Sequence, residues 1–176
     1  MEQNKSVLIV FGGLPGSGKT TLAKALANHL SVVYLRIDTI EQLLPKTGSG
    51  LGPEGYLIAN AIARENLKPG NIVIVDSVNP IPVTREMWEK TASETNSKLI
   101  GIEVKCSDPE IHRQRVENRI ADIPGHQLPT WDQVINREYD AWESKDFSIE
   151  TAHETVESSF KELLLSLSNI NRTGQA

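Results

Sequence analysis

The residues of this chain best suited to chemistry are GLPGSGKT, Gly13 to Thr20, a full match to the pattern G-x-x-x-x-G-K-[ST]. Gly13, Gly16 and Gly18 permit backbone conformations closed to residues with a Cβ and let the chain approach a ligand closely. Gly13, Leu14, Pro15, Gly16, Ser17 and Gly18 form a cradle whose N–H groups converge on one anion, aided by the positive end of the helix that follows. In such a loop Lys19 reaches the β- and γ-phosphates and the Thr20 hydroxyl binds Mg²⁺, with Thr21 next in the first helical turn. These residues predict binding of a nucleoside triphosphate, read as ATP with Mg²⁺.

Two aspartates stand where apolar runs end. Asp76 follows the unbroken run 72–75, and a carboxylate there can hold Mg²⁺ or a metal-bound water beside the phosphates. Its other reading is a turn or helix-capping residue. Asp38 ends the run 32–37, and its type suits a general base that orients and deprotonates an acceptor hydroxyl. It suits equally the N-cap of a helix over 39–44.

Arginines supply the third signal. Arg115 and Arg119 are four apart, which puts them on one face of a helix about 5–6 Å apart at Cβ. They precede an irregular Pro/Gly-bearing stretch, 122–130, and the region from about 113 to 130 reads as a lid that closes over phosphates. The planar guanidinium binds phosphate oxygens bidentately and stacks on a base. The alternative is a solvated face with Glu117 and Asp122 as partners. Arg113 and Arg137 are further candidates of the same kind, while Arg36 and Arg85 are the cations able to pair with an acidic acceptor.

Other residues carry structural expectations. The four histidines lack spacing for a metal site. Trp88, Trp131 and Trp142 read as packing residues, with Trp131 also placed to cover a substrate. Tyr56 and Asn79 read as hydrogen-bonded loop residues near the ligand edge. The single cysteine, Cys106, excludes an internal disulfide and reads as a small buried hydrophobe at a strand end.

Alternating strands and helices must position these groups. Strands are expected at 7–11, 32–37, 72–75, 99–104 and, weakly, 147–150. Helices are expected after the loop at Gly13 to Thr20, near 55–67, from Pro82 to about 94, from Asp108-Pro109, near 131–142 and over 155–167. The stretch 48–53 reads as a Gly/Pro loop and the tail from 169 as frayed. Apolar strands separated by helices imply a parallel sheet covered on both faces, with ligands at the carboxyl ends of the strands. The 176 residues, 39% apolar and 23% charged, fit one globular α/β domain. A net charge of −5 and no Lys/Arg-rich tract argue against nucleic acid as a partner. No apolar stretch nears the ~18 residues of a membrane span, and the first apolar run is a strand with no leader pattern. A cytoplasmic monomer or homodimer is expected.

Together these features resemble the P-loop nucleoside- and small-molecule-kinase group. Its members include polynucleotide 5′-kinases, chloramphenicol phosphotransferase, gluconate and shikimate kinases, zeta-toxin-like kinases and adenylate kinase. The residues that carry the resemblance are GLPGSGKT, RID ending at Asp38, VIVD ending at Asp76 and RVENR from Arg115 to Arg119. It implies a three-layer P-loop NTPase fold, a five-stranded parallel sheet in order 2-3-1-4-5 and a small helical lid. It also implies Arg115 against the adenine, Arg119 on the transferring phosphate and Asp38 at the acceptor hydroxyl. One departure is that Asp76 is followed by Ser77-Val78-Asn79 and not by a second acidic residue, which leaves open direct or water-mediated metal binding. The segment Trp131 to Trp142, with REYDAW, resembles an uncharacterised kinase-like subgroup, which leaves the acceptor open.

The expected activity is transfer of the ATP γ-phosphate, with Mg²⁺, to a hydroxyl of a small-molecule alcohol. Lys19, Asp38 and Arg119 are the catalytic set, and Thr20 and Asp76 the metal ligands. Two alternatives stand beside it: a nucleotide switch or slow ATPase without an organic acceptor, and a polynucleotide 5′-hydroxyl kinase.

Overall fold

In the computed structural model, which describes residues 6–44 and 53–173, β1 (Val7–Gly12) lies at the centre of the sheet. Leu8, Ile9, Val10 and Phe11 are each no more than 3% exposed. Successive side chains of a strand point to opposite faces, so an apolar residue at every position demands cover on both. The remaining strands are β2 (Val33–Arg36), β3 (Ile72–Asp76), β4 (Lys98–Lys105) and β5 (Phe147–Glu150). All neighbours pair in parallel, in the order β2-β3-β1-β4-β5.

Two layers of helices cover the sheet. On one face, α1 (Lys19–Leu30) and α7 (Val156–Thr173) pack Leu22, Leu26 and Leu163 against Ile9, Phe11 and Ile102. On the other, α3 (Glu54–Leu67) and α4 (Pro82–Glu94) pack Ala59, Ala63 and Trp88 against Leu8, Val10 and Val75. Trp142, from the irregular chain before β5, belongs to this second core. The short helices α2 (Ile37–Leu43), α5 (Pro109–Glu117) and α6 (Trp131–Ile135) lie in the connections. Among the described residues, no helix is long and apolar enough to cross a membrane.

Register is what assembles the functional edge. Phe11 and Arg36 are both Cα partners of Asp76, one from each neighbouring strand. The end of β1 therefore delivers the loop at Gly13 beside Asp76, with Arg36 on the far side.

The elements differ from expectation in three places. β2 stops at Arg36 and α2 begins at Ile37, because Ile37 (2% exposed) turns straight into the core beneath α3. Asp38 is thus a first-turn residue of α2, neither the end of a strand nor a helix cap. The helix expected near 131–142 is only Trp131–Ile135, since Arg85 and Trp142 recruit the following chain into loop contacts. The last helix continues past the expected fraying point to Thr173, with Ile170 packed on the core. The loop expected at 48–53 lies, apart from Pro53, outside the described residues, as does the end of the tail at 174–176.

Candidate active site

The loop between β1 and α1 is bent by glycines in the left-handed region. Gly16 has φ 85°, and a Cβ there would stand 2.6 Å from Val116 Cγ2. At Gly13, with φ 141°, a Cβ would strike the Val104 carbonyl oxygen. Only glycine satisfies both the dihedral and the space at these positions. Gly18, also at positive φ, is the N-cap of α1, and it offers no side chain to cap the helix. The first turn of α1 holds no acidic residue either, so its N–H groups face the loop's concavity with their polarity intact.

The loop is held from behind through its carbonyls. His112 Nε2 lies 2.8 Å from the Pro15 carbonyl, and Thr151 Oγ1 lies 2.8 Å from that of Ser17. The Gly13 N–H donates to Val78, and Asn79 Nδ2 donates to Phe11. Fixing the carbonyls on the protein side turns the peptide dipoles so that N–H groups point outward, the arrangement an anion requires.

Lys19 is 5% exposed, a burial that a lysine tolerates only beside opposite charge. Burial lowers its pKa; Asp76 and then Asp38 oppose that shift, whereas Arg119 and Arg36 add to it. The four groups that act on Lys19 include three expected from sequence, Asp76, Asp38 and Arg119. Asp76 is 2% exposed, and its Oδ2 accepts the Tyr34 hydroxyl at 2.7 Å. Burial, followed by the adjacent Asp76 charge, raises the Tyr34 pKa well above its ordinary value, so the phenol stays a donor. Asp76 Oδ1 is buried without a partner, a lone-pair site that fits a cation or a cation-bound water.

Beside the loop is a cavity of about 420 Å³. Gly16, Lys19, Thr20 and Thr21 form one wall, while Arg115, Arg119, Ile120 and Val156 contribute to the others. Both arginines therefore reach the same space, but not from one helical face. α5 ends at Glu117, capped by Asn118, and Arg119 lies in the irregular chain beyond. Arg115 is also less free than expected. It donates through Nη1 to Thr151 Oγ1 at 2.7 Å and through Nη2 to the Thr151 carbonyl at 2.6 Å. Its fork ties α5 to the β5–α7 connection, leaving only its flat face for a base.

Several residues take the structural alternative. Asp108 caps α5, accepting from the Glu110 and Ile111 N–H groups. Arg85 spends its guanidinium on the carbonyls of Asn79, Pro80, Asp140 and Ala141, so it is not available to an acidic acceptor. Asn79 is fully buried, and its backbone N–H donates to the Tyr56 hydroxyl. Trp131 meets the His112 ring edge-on at 5.3 Å. Arg113 pairs with Glu117 on the exposed face of α5. Cys106 is buried just after β4, where desolvation raises its pKa.

Sequence reading missed the roles of Arg36, Asp122, Thr151 and His112. Arg36 donates through Nη1 to Asp122 Oδ2 at 2.7 Å, and Lys24 of α1 holds the same oxygen at 2.6 Å. Hydrogen bonds from Arg36 and Lys24 keep Asp122 well below the usual carboxylate range. For Arg36 burial disfavours the charge, but Asp122, Asp38 and Asp76 outweigh it and its pKa rises. The one sequence signal was a lone arginine inside an otherwise apolar strand.

A family model described as an AAA domain matches residues 8–137. The chain is similar to the "Probable adenylyl-sulfate kinase" of Aeropyrum pernix, 27% identical over 165 residues that cover 87% of each chain. It is likewise similar to the adenylyl-sulfate kinase of Staphylococcus epidermidis, 26% identical over 170 residues, 92% of this chain and 83% of the relative. Its fold matches the crystal structure of a gluconokinase from Sinorhizobium meliloti with a TM-score of 0.69 and 17% identity, across 100% of this chain and 99% of that one.

Proposed function

This chain belongs to the AAA domain family, and on that premise we propose that it is a P-loop kinase that moves the γ-phosphate of ATP to a hydroxyl of a small molecule, as its similarity to adenylyl-sulfate kinases supports. The observation that carries this reading is the buried Lys19, set at the head of the loop among Asp76, Asp38, Arg119 and Arg36. A nucleotide switch has no need of a second carboxylate on the acceptor side of the phosphates.

Each residue then has a task. The N–H groups of Gly16 and of Gly18 to Thr21 cradle the phosphates, those of Gly13 and Ser17 being spent on the Val78 and Leu14 carbonyls, and Lys19 bridges to the β- and γ-oxygens. Thr20 and Asp76 would hold Mg²⁺, Asp76 directly or through water, and the ion would neutralise phosphate charge. Among the described residues no three His, Cys, Asp or Glu side chains gather as a metal cage. Two protein groups plus phosphate oxygens suit Mg²⁺, which keeps several waters. Arg119 meets the charge that develops on the transferring phosphoryl group, and Arg115 lays its face against the base. Asp38, 24% exposed at its side chain, accepts the acceptor's proton as the new O–P bond forms and ADP departs. The stretch 113–130 is the lid of this site.

The test is a γ-phosphate transfer assay over sugars, nucleosides, antibiotics and 5′-hydroxyl oligonucleotides. Transfer to a small alcohol supports the reading. ATP turnover to phosphate alone, unaffected by every acceptor, would replace it with a hydrolase or switch.

A further inference from the structure

Arg36 has no part in the transfer chemistry above, yet its side chain is only 4% exposed. It ends β2 in register with Asp76 at the end of β3. Carboxylates from three elements face it. Nη1 donates to Asp122 Oδ2 at 2.7 Å, Nη2 lies 3.6 Å from Asp38 Oδ2, and Nε lies 3.8 Å from Asp76 Oδ2. The first is a charge-assisted hydrogen bond; the other two are too long for one. Nε and Nη2 accordingly have no hydrogen-bond partner, and neither does Asp76 Oδ1.

Unused donors on a buried guanidinium, next to an unused oxygen on a buried carboxylate, call for an explanation, since such groups ordinarily pair. A shift of about 1 Å would bring Arg36 Nε, now 3.8 Å from Asp76 Oδ2, into hydrogen-bond distance of that carboxylate. What opposes that shift is Asp122, anchored to α1 by Lys24 at 2.6 Å and holding the third prong of Arg36.

We infer that Arg36 is a positioning residue which Asp122 holds away from Asp76. With Asp122 seated on Arg36 and Lys24, Asp76 Oδ1 stays without a protein partner and free for a metal or its water. Without Asp122, Arg36 closes on Asp76 and competes for the carboxylate that the metal shell needs. The irregular chain after α5 is thereby coupled to the metal side of the site through one guanidinium. The inference rests on reading Asp76 as the metal-facing carboxylate.

The test uses calorimetric ATP affinity with and without Mg²⁺, the ratio giving the metal's contribution without any acceptor. Asp122→Ala should lower that ratio about 10-fold or more, the scale of outer-shell changes at metal sites. Adding Arg36→Gln to Asp122→Ala should bring it back toward wild type, because the competing guanidinium is gone. Should circular dichroism show that pair unfolded, Arg36→Lys in the same background should recover part of the ratio, since an ammonium cannot span two oxygens. A purely structural network predicts the reverse, each second substitution worsening the first. An unchanged ratio in Asp122→Ala, or no recovery in the double variants, overturns the role of Arg36 alone. ATP affinity indifferent to Mg²⁺ in the wild type overturns both this role and the metal reading of Asp76.

Discussion

His112 of α5 and Pro15 of the phosphate loop, 97 residues apart, are joined by a 2.8 Å hydrogen bond from the imidazole Nε2 to the prolyl carbonyl. His112 is 7% exposed and its ring also meets Trp131, so it braces the loop from the protein side. His112→Ala removes this anchor at a cost of about 0.5–1.5 kcal/mol. If that loss is expressed in binding, ATP affinity falls up to about 10-fold, as a fluorescent-nucleotide titration would read. Gly16→Ala is the harsher test of the same geometry, because its Cβ would strike Val116 Cγ2 at 2.6 Å from a backbone at φ 85°. It should abolish nucleotide binding.

The two arginines of the cavity should separate cleanly. Arg119→Ala should lower kcat by as much as ~10³-fold with little change in ATP affinity, as expected of a cation that meets developing phosphoryl charge. Arg115→Ala should register first in stability, because its fork binds the Thr151 hydroxyl and carbonyl. Hydrogen bonds to a charged group are worth about 1.5–3 kcal/mol each, and each kcal/mol moves Tm by roughly 2–4 °C at this chain length. A Tm fall of ~3 °C or more, measured calorimetrically, is the expected result. Wild-type kinetics and wild-type Tm in both variants would reduce the pair to a solvated surface.

The sequence made the phosphate loop and the five strands legible for physical reasons, whereas the strand order came only from the resemblance to P-loop kinases. GLPGSGKT has few alternative uses, and unbroken runs such as Ile72 to Val75 suit only a sheet covered on both faces. Caps written in local chemistry, such as Asp108-Pro109 before α5, were equally legible. What stayed hidden are pairings set by register and by turns of the chain. Arg36 and Asp122 are 86 residues apart and Arg115 and Thr151 are 36 apart, and nothing in local periodicity links them. Arg119 was placed on the helix because i, i+4 spacing fits one, yet Asn118 caps α5 just before it. Asp38 moved into a helix for a related reason: burial of Ile37, a tertiary demand, overrode the apolar run that reads as strand.

Glu41, in α2, gives a pH signature. Burial first, then the neighbouring Asp38 charge, pushes its carboxyl up from the ordinary 4.5 to about 7, with Arg137 partly offsetting the rise. Between those values the folded chain keeps a proton that the unfolded chain releases. Stability contributed by this group is therefore present below about 4.5, lost as pH rises to about 7, and flat beyond. Glu41→Gln, neutral throughout, should match wild type near pH 4.5 and exceed it in Tm by pH 8. Denaturation at a series of pH values reads the difference, and a gap that narrows with rising pH would refute the assignment.

On the proposed function, Asp38 is the residue whose substitution separates phosphate transfer from mere binding. Its carboxylate stands at the first turn of α2, 3.6 Å from Arg36 Nη2, close enough to be oriented and too far to be capped by a hydrogen bond. Asp38 is also among the charges that act on Lys19, so it is near enough to the loop for its charge to be felt there. Asp38→Asn keeps the shape and removes the proton acceptor. Transfer to the alcohol found in the acceptor panel should fall by about 10²–10⁴-fold, the usual worth of a general base, while ATP affinity stays within a few-fold of wild type. Hydrolysis measured without acceptor should change less than transfer, because water needs no alkoxide. Equal loss of the two rates would instead place Asp38 on the nucleotide, and retained transfer would remove it from the chemistry. The acceptor itself should be small and mainly uncharged, since Arg85 is bound to backbone carbonyls and Arg36 is held by Asp122. Efficient phosphorylation of a 5′-hydroxyl oligonucleotide, with the steep salt dependence of phosphate-backbone contacts, would overturn that expectation.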